Sequence, residues 1–178
     1  MNKTICLDLD GIITDIGSQV LNYIKANSSI EYNVDLVSDS LLTPDGVEEV
    51  EYIYKDPLFW KNLLPIKESW HCINDWFSNG FDIIFITSRR SDISQNEIHP
   101  WLDGWCVQYN DVVVADMYHK YEIIDKIKPI FFIDDNPREI KKVSSMTNTT
   151  VAVMETWYNS HLIEKFDSVK NLTDMKIG

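Results

Sequence analysis

Near-continuous apolar runs occur at about residues 4–9, 82–87, 111–115, 130–134 and 150–154. Runs this short, without polar alternation, predict strands covered on both faces. Between them the apolar residues recur at helical spacing. Trp70, Ile73, Asn74 and Phe77 share one helical face, and Asn79-Gly80 supplies the expected stop. Ile93 to Leu102 predicts the next helix, and Tyr121 to Ile127 another, halted before Pro129. Pro137, behind Asn136, opens a helix through Val143, and His161 to Val169 reads as a final amphipathic helix. Strands alternating with helices predict an α/β fold: a three-layer, Rossmann-like parallel sheet.

One connection breaks the rhythm. Residues 15–65 separate the first strand from the next core helix, whereas βα loops are usually about 2–6 residues. This segment therefore reads as an insertion with its own structure, leaving residues 1–14 and 66–178 as the core domain. Val20, Leu21 and Ile24 suit one helix, and Val47 to Tyr54 a second. The return stretch, Tyr52 to Trp60, is rich in aromatics. Most of these suit a small core of the insertion, with Phe59 and Trp60 as candidates for stacking on a ligand. A segment leaving from the carboxyl end of a strand is placed to act as a lid.

The polar residues that end the strands carry the chemistry. The first run ends in Asp8-Leu9-Asp10-Gly11, the second in Thr87-Ser88-Arg89, and the fourth in Asp134-Asp135. Each group suits a divalent cation or a phosphate. Open α/β sheets bind ligands at the carboxyl ends of their strands. Taken singly, each is also compatible with a polar turn closing a strand.

Composition narrows the classes. The chain has 178 residues, 44% of them hydrophobic, and a net charge of −12. That charge, with no basic track, argues against a polynucleotide partner and for a small substrate. No apolar run approaches the roughly 18 residues that span a bilayer, and Met1-Asn2-Lys3-Thr4 lacks the features of a signal peptide. Both point to a cytoplasmic protein without a membrane partner. Cys6, Cys72 and Cys106 show no metal-binding spacing and read as small core residues in a reducing compartment.

Together these segments resemble the motifs of the haloacid dehalogenase (HAD) superfamily of phosphohydrolases. Asp8-Leu9-Asp10-Gly11-Ile12-Ile13-Thr14-Asp15 resembles the first motif, Ile84-Phe85-Ile86-Thr87 the second, and Phe132-Ile133-Asp134-Asp135 the fourth. Residues 15–65 then correspond to a small helical cap after strand one. Asp-Leu-Asp-Gly with Thr-Ser-Arg and Ile-Asp-Asp-Asn-Pro resembles the 5'(3')-deoxyribonucleotidase-like branch. Ile12 stands where that branch has Thr or Val, and Arg90 where it often has Pro.

The resemblance implies Mg²⁺ as cofactor and a phosphomonoesterase with Asp8 as nucleophile. A carboxylate and a phosphate oxygen about 4 Å apart repel by roughly 4 kcal/mol per unit charge pair at an effective dielectric near 20, so a cation and a Lys are needed. Asp8, the backbone carbonyl of Asp10, and Asp134 are the implied metal ligands, with Asp135 acting through water or orienting the Lys. Asp10 is the implied general acid, in need of a raised pKa that crowding with Asp8 could supply. Thr87 would hold a phosphate oxygen. Gly11, Ser88 and Arg89 are candidate substrate contacts, Arg89 being equally compatible with a solvated surface position. Three lysines, Lys120, Lys126 and Lys128, compete for the third motif. The helix before strand four runs antiparallel to it, so its N-terminus lies at the ligand end. Lys128 is about 12 Å further along that helix. Geometry selects Lys120, as does the resemblance. His119 beside it reads as a surface residue. (Deoxy)ribonucleoside monophosphates are the leading substrates. A sugar phosphate, another small metabolite, or a catalytically silent binding role on the same fold are the alternatives.

Overall fold

The computed structural model describes residues 3–27, 54–66, 68–89, 92–156, 159, 166–175 and 177. Strands β1 (Thr4–Leu7), β2 (Asp82–Thr87), β3 (Asp111–Val114), β4 (Phe131–Asp134), β5 (Thr150–Met154) and β6 (Asp167–Val169) form a single sheet. Its order is β3-β2-β1-β4-β5-β6, and every pairing is parallel. The helices are α1 (Ile16–Asn27), α2 (Pro57–Lys61), α3 (Ser69–Ser78), α4 (Asp92–Asn96), α5 (Ile98–Gly104), α6 (Lys120–Ile127) and α7 (Pro137–Met146).

Alternation along each strand sorts the core into two layers. Ile5, Leu7, Ile83, Phe85 and Ile133 pack in one cluster with Val20, Ile73, Trp76, Trp101 and Leu102. Those partners come from α1, α3 and α5. Cys6, Ile86, Phe132, Val151 and Val153 form the other cluster with Ile124, Ile140 and Val143 of α6 and α7. Helices on both faces explain why the strands carry no polar alternation.

The chain builds β1, β2 and β3 outward in one direction, then returns to place β4 on the other side of β1. The strand order thus reverses between β1 and β4, and the crevice at such a switch is the usual ligand position in open α/β sheets. Leu7 is level with both Ile133 and Phe85, so the residues just beyond these strands gather at one height.

Three expectations need correction. A sixth strand, Asp167–Val169, occupies the end of the stretch expected to be a terminal helix; it gains its backbone partners from β5, which local periodicity does not report. Residues 161–165 of that stretch lie outside the described residues. The single helix expected over 93–102 is two short helices, α4 and α5. Cys106 is exposed and has a positive φ of 54°, because it sits in the turn leaving α5 and not in the core; Cys6 and Cys72 are buried.

The ends of segment 15–65 lie side by side. Thr14 bridges Pro65 in antiparallel fashion, and the Asp15 N–H donates to the Leu64 carbonyl at 3.2 Å. The helix expected around Val20 is α1, while residues 47–53 lie outside the described residues. The aromatics do pack on one another: Tyr54 stacks on Trp60 at 5.3 Å, and Phe59 meets Trp60 and Tyr23 edge-on. Among the described residues no helix is long and apolar enough to cross a membrane.

Candidate active site

Three elements bring one cluster together. Asp8 follows β1 directly, and its N–H donates to the Ile133 carbonyl at 2.8 Å, locking it beside the end of β4. Asp134 is the last residue of β4, and Asp135 opens the turn into α7. One oxygen of each of the three carboxylates lies within 4.8 Å of the others. Lys120, the first residue of α6, reaches across with its ammonium 2.7 Å from Asp8 Oδ1 and 2.8 Å from Asp134 Oδ2. It is only 2% exposed. The helix-direction reading thus matches the position of Lys120, whereas Lys126 and Lys128 are exposed.

The loop that delivers Lys120 is fastened by α7. Tyr118 has a positive φ of 64°. Its N–H donates to Glu139 Oε1 at 2.6 Å, and its carbonyl accepts from Lys142 at 2.9 Å. Asn136 caps α7 by accepting the Arg138 N–H at 2.9 Å, while Asp134 Oδ1 accepts the Asn136 N–H at 2.7 Å. Asp134 therefore serves both the cluster and the turn that follows it.

Electrostatics set the character of this cluster. One ammonium faces three carboxylates in a buried volume. Burial, together with the charges of Asp134 and Asp10, pushes the Asp8 carboxyl up to about 8 against the pull of Lys120. Asp135 is raised well above its ordinary value by burial and by the charges of Asp134 and Asp8. Burial alone would lower Lys120, but Asp134 and Asp8 raise it. Close hard-oxygen ligands from three carboxylates fit a divalent cation such as Mg²⁺.

Asp10 belongs to a different arrangement. Its Oδ2 accepts from Arg89 Nε and its Oδ1 from Arg89 Nη2, both at 2.8 Å, and Thr14 Oγ1 donates to Oδ1 at 2.7 Å. Burial would raise this carboxyl, but the Arg89 guanidinium and the Thr14 hydroxyl hold it below its ordinary value. The raised pKa expected from crowding with Asp8 is thus corrected. Arg89 is 5% exposed, so it is not a solvated surface residue either: its charge is buried against Asp10.

Thr87 is buried at the end of β2, and its hydroxyl accepts the Arg89 N–H at 3.3 Å. Ser88 Oγ is buried with no hydrogen-bond partner among the described residues. Gly11 adopts φ +86°, and a β-carbon there would lie 1.7 Å from Asp135 Oδ2. Glycine is therefore required both by the backbone and by the close approach of Asp135. His119 is exposed and pairs with Glu122 at 2.9 Å.

Sequence reading did not single out Thr14, Glu139 or Asn159. Asn159 is fully buried, and its amide donates to the carbonyls of Asp135 and Met154 at 2.9 and 2.7 Å. It ties the loop after β4 to the loop after β5. Glu139 had a weak signal, being an acid one turn into a helix whose neighbours face the core.

A parallel sheet of this order, with the acid cluster at its switch point, defines an α/β fold of the haloacid dehalogenase type. Solved structures agree on the fold. A dehalogenase crystal structure matches at TM-score 0.63 and 12% identity, covering 97% of this chain and 95% of that one. An L-2-haloacid dehalogenase from Xanthobacter autotrophicus, with chloropropionic acid covalently bound, matches at TM-score 0.61 and 11% identity over 98% and 96%. D,D-heptose 1,7-bisphosphate phosphatase from Burkholderia thailandensis matches at 0.58 and 9% over 96% and 94%. No curated protein sequence matches the chain. The family model for the 5' nucleotidase, deoxy (pyrimidine), cytosolic type C proteins matches residues 2–177, and the chain belongs to that family.

Proposed function

We propose that the protein is a cytoplasmic phosphomonoesterase acting on (deoxy)ribonucleoside monophosphates through an aspartyl-phosphate, with residues 15–65 as its cap. The observation that carries this reading is Lys120 bridging Asp8 and Asp134, with Asp135 in the same buried cluster. Family membership supports the substrate class.

The Asp8 carboxylate attacks phosphorus in line, an oxygen–phosphorus bond forms, and the bond to the leaving oxygen breaks. Asp10 delivers a proton to that oxygen. In the second half a water attacks the phosphoryl group on Asp8, the Asp8 oxygen–phosphorus bond breaks to release phosphate and restore the carboxylate, and Asp10 takes the proton of that water. Held below its ordinary value, the Asp10 carboxyl is ionised, as a proton acceptor must be. Its protonated form has to be reached with substrate in place. Thr87 and the buried, unpartnered hydroxyl of Ser88 suit phosphate oxygens. Lys120 holds Asp8 and offsets charge as the phosphoryl group transfers.

Asp8, Asp134 and Asp135, with the Asp10 carbonyl, are the residues that would hold Mg²⁺. When bound, Mg²⁺ supplies the positive charge that a carboxylate needs to approach a phosphate.

The test is a panel of nucleoside monophosphates, sugar phosphates and an aryl phosphate, ranked by kcat/KM with Mg²⁺ or with chelator. Nucleoside monophosphates should lead, and Asp8→Asn should lose at least about 10³-fold in kcat. Turnover indifferent to Asp8→Asn or to chelator would overturn the mechanism. A sugar phosphate at the head of the panel would overturn the substrate class.

A further inference from the structure

Arg89 is the largest buried group that the proposed chemistry leaves without a task. Three of its five N–H donors are engaged: Nε and Nη2 fork onto the two oxygens of Asp10 at 2.8 Å, and Nη1 reaches the Ser94 carbonyl at 3.2 Å. Its backbone is pinned as well. The Arg89 N–H donates to Thr87 Oγ1 at 3.3 Å, and its carbonyl accepts from Gln95 at 2.7 Å. A guanidinium fork holds both the position and the plane of a carboxylate, which a Lys cannot do.

The segment 15–65 touches this pair near its return, and the residue just before the segment touches it at the departure. The ring of Trp60, three residues past the start of α2, lies 4.5 Å from the Arg89 guanidinium carbon. Trp60 is itself fixed by its indole N–H, which donates to the Tyr54 carbonyl at 2.9 Å. At the departing end Thr14 donates to Asp10 Oδ1 at 2.7 Å and bridges Pro65 through its backbone. Asp10 is thus held directly by Thr14, just before the segment, and, through Arg89, by Trp60 near the segment's return.

We propose that Arg89 is a positioning residue for Asp10, and that Trp60 makes this positioning depend on the placement of the return stretch, residues 54–65. The inference rests on the phosphomonoesterase reading above and deepens it. Arg89 acts on the proton-transfer group and not on the phosphate. Its removal should therefore matter in proportion to how much the leaving oxygen needs a proton. A nucleoside alkoxide needs one; the phenolate of an activated aryl phosphate does not. A well-placed proton donor contributes about 10²–10⁴-fold, and loosening it forfeits part of that.

The experiment measures kcat and KM of wild type, Arg89→Lys, Trp60→Leu and Asp10→Asn on a nucleoside monophosphate and on p-nitrophenyl phosphate, with Mg²⁺. Arg89→Lys should lower kcat/KM, which reports phosphoryl transfer to Asp8 and not the later hydrolysis common to both esters, by about tenfold or more on the nucleotide and by less than about threefold on the aryl ester. Trp60→Leu should show the same split at smaller size. In an Asp10→Asn background Arg89→Lys should add nothing on the nucleotide. Equal losses of kcat/KM on both substrates would overturn the proposal while leaving the hydrolase reading standing. A wild type inactive on both esters would overturn both. Should Arg89→Lys not fold, Arg89→Gln paired with Asp10→Asn removes both charges. Non-additive thermal shifts across that cycle should then report the coupling, and additive shifts would contradict it.

Discussion

Two cation–carboxylate groupings sit at the same end of the sheet, and they differ in charge balance. Around Lys120 one ammonium faces Asp8, Asp134 and Asp135. Around Arg89 one guanidinium faces the single carboxylate of Asp10, on a geometry that fits it. Among the described residues the first is short of positive charge, and burial drives Asp8 and Asp135 toward the protonated form. The second is balanced, and its acid is driven toward the ionised form. An unbalanced buried cluster is costly unless a further cation joins it. A balanced one needs no partner and serves to hold a group still. The same residue types thus mark a ligand site in one place and a positioning device in the other.

The sharpest way to break this comparison is to remove the shared cation of the first cluster. Lys120→Met keeps the length of the side chain but leaves Asp8 and Asp134 without their ammonium. Its kcat on a nucleoside monophosphate should fall by about 10²–10³-fold with Mg²⁺ present, by analogy with loss of a preorganised charge at a transferring group. Arg89→Lys, which keeps a positive charge, should cost less. If the two losses were equal, the division of labour between the clusters would fail. A smaller effect is expected from Gly11→Ala, which disturbs the boundary between them. The new methyl group meets Asp135 and forces an L-residue into φ +86°. Thermal or denaturant unfolding should show a loss of about 1–3 kcal/mol. A neutral Gly11→Ala would mean that Asp135 moves freely, and that the first cluster is looser than described.

The first cluster was the more legible of the two in the sequence. Each of its acids ends an apolar run, and a parallel sheet covered on both faces makes such runs conspicuous. Among the lysines that the resemblance put forward for the third motif, helix direction picked Lys120. The second cluster was not legible, although Asp10 and Arg89 were both named. They lie 79 residues apart, and nothing local shows that the guanidinium turns inward to the acid and not outward to substrate or water. Trp60 had the same difficulty: its sequence offered it as a candidate for stacking on a ligand, and only the fold puts its ring on Arg89. The sixth strand escaped because three residues, Asp167-Ser168-Val169, carry no period of their own. Cys106 escaped because its turn conformation depends on where α5 stops.

The central claim is that Asp8 and Asp134 share one divalent cation. Calorimetric titration of metal-free protein with Mn²⁺ or Mg²⁺ tests it without reference to turnover. One equivalent should bind to the wild type, Asp134→Asn should weaken it by at least about tenfold, and Asp10→Asn, which keeps its backbone carbonyl, should leave it within about threefold. Undiminished binding in Asp134→Asn, or no binding by the wild type, would contradict the account.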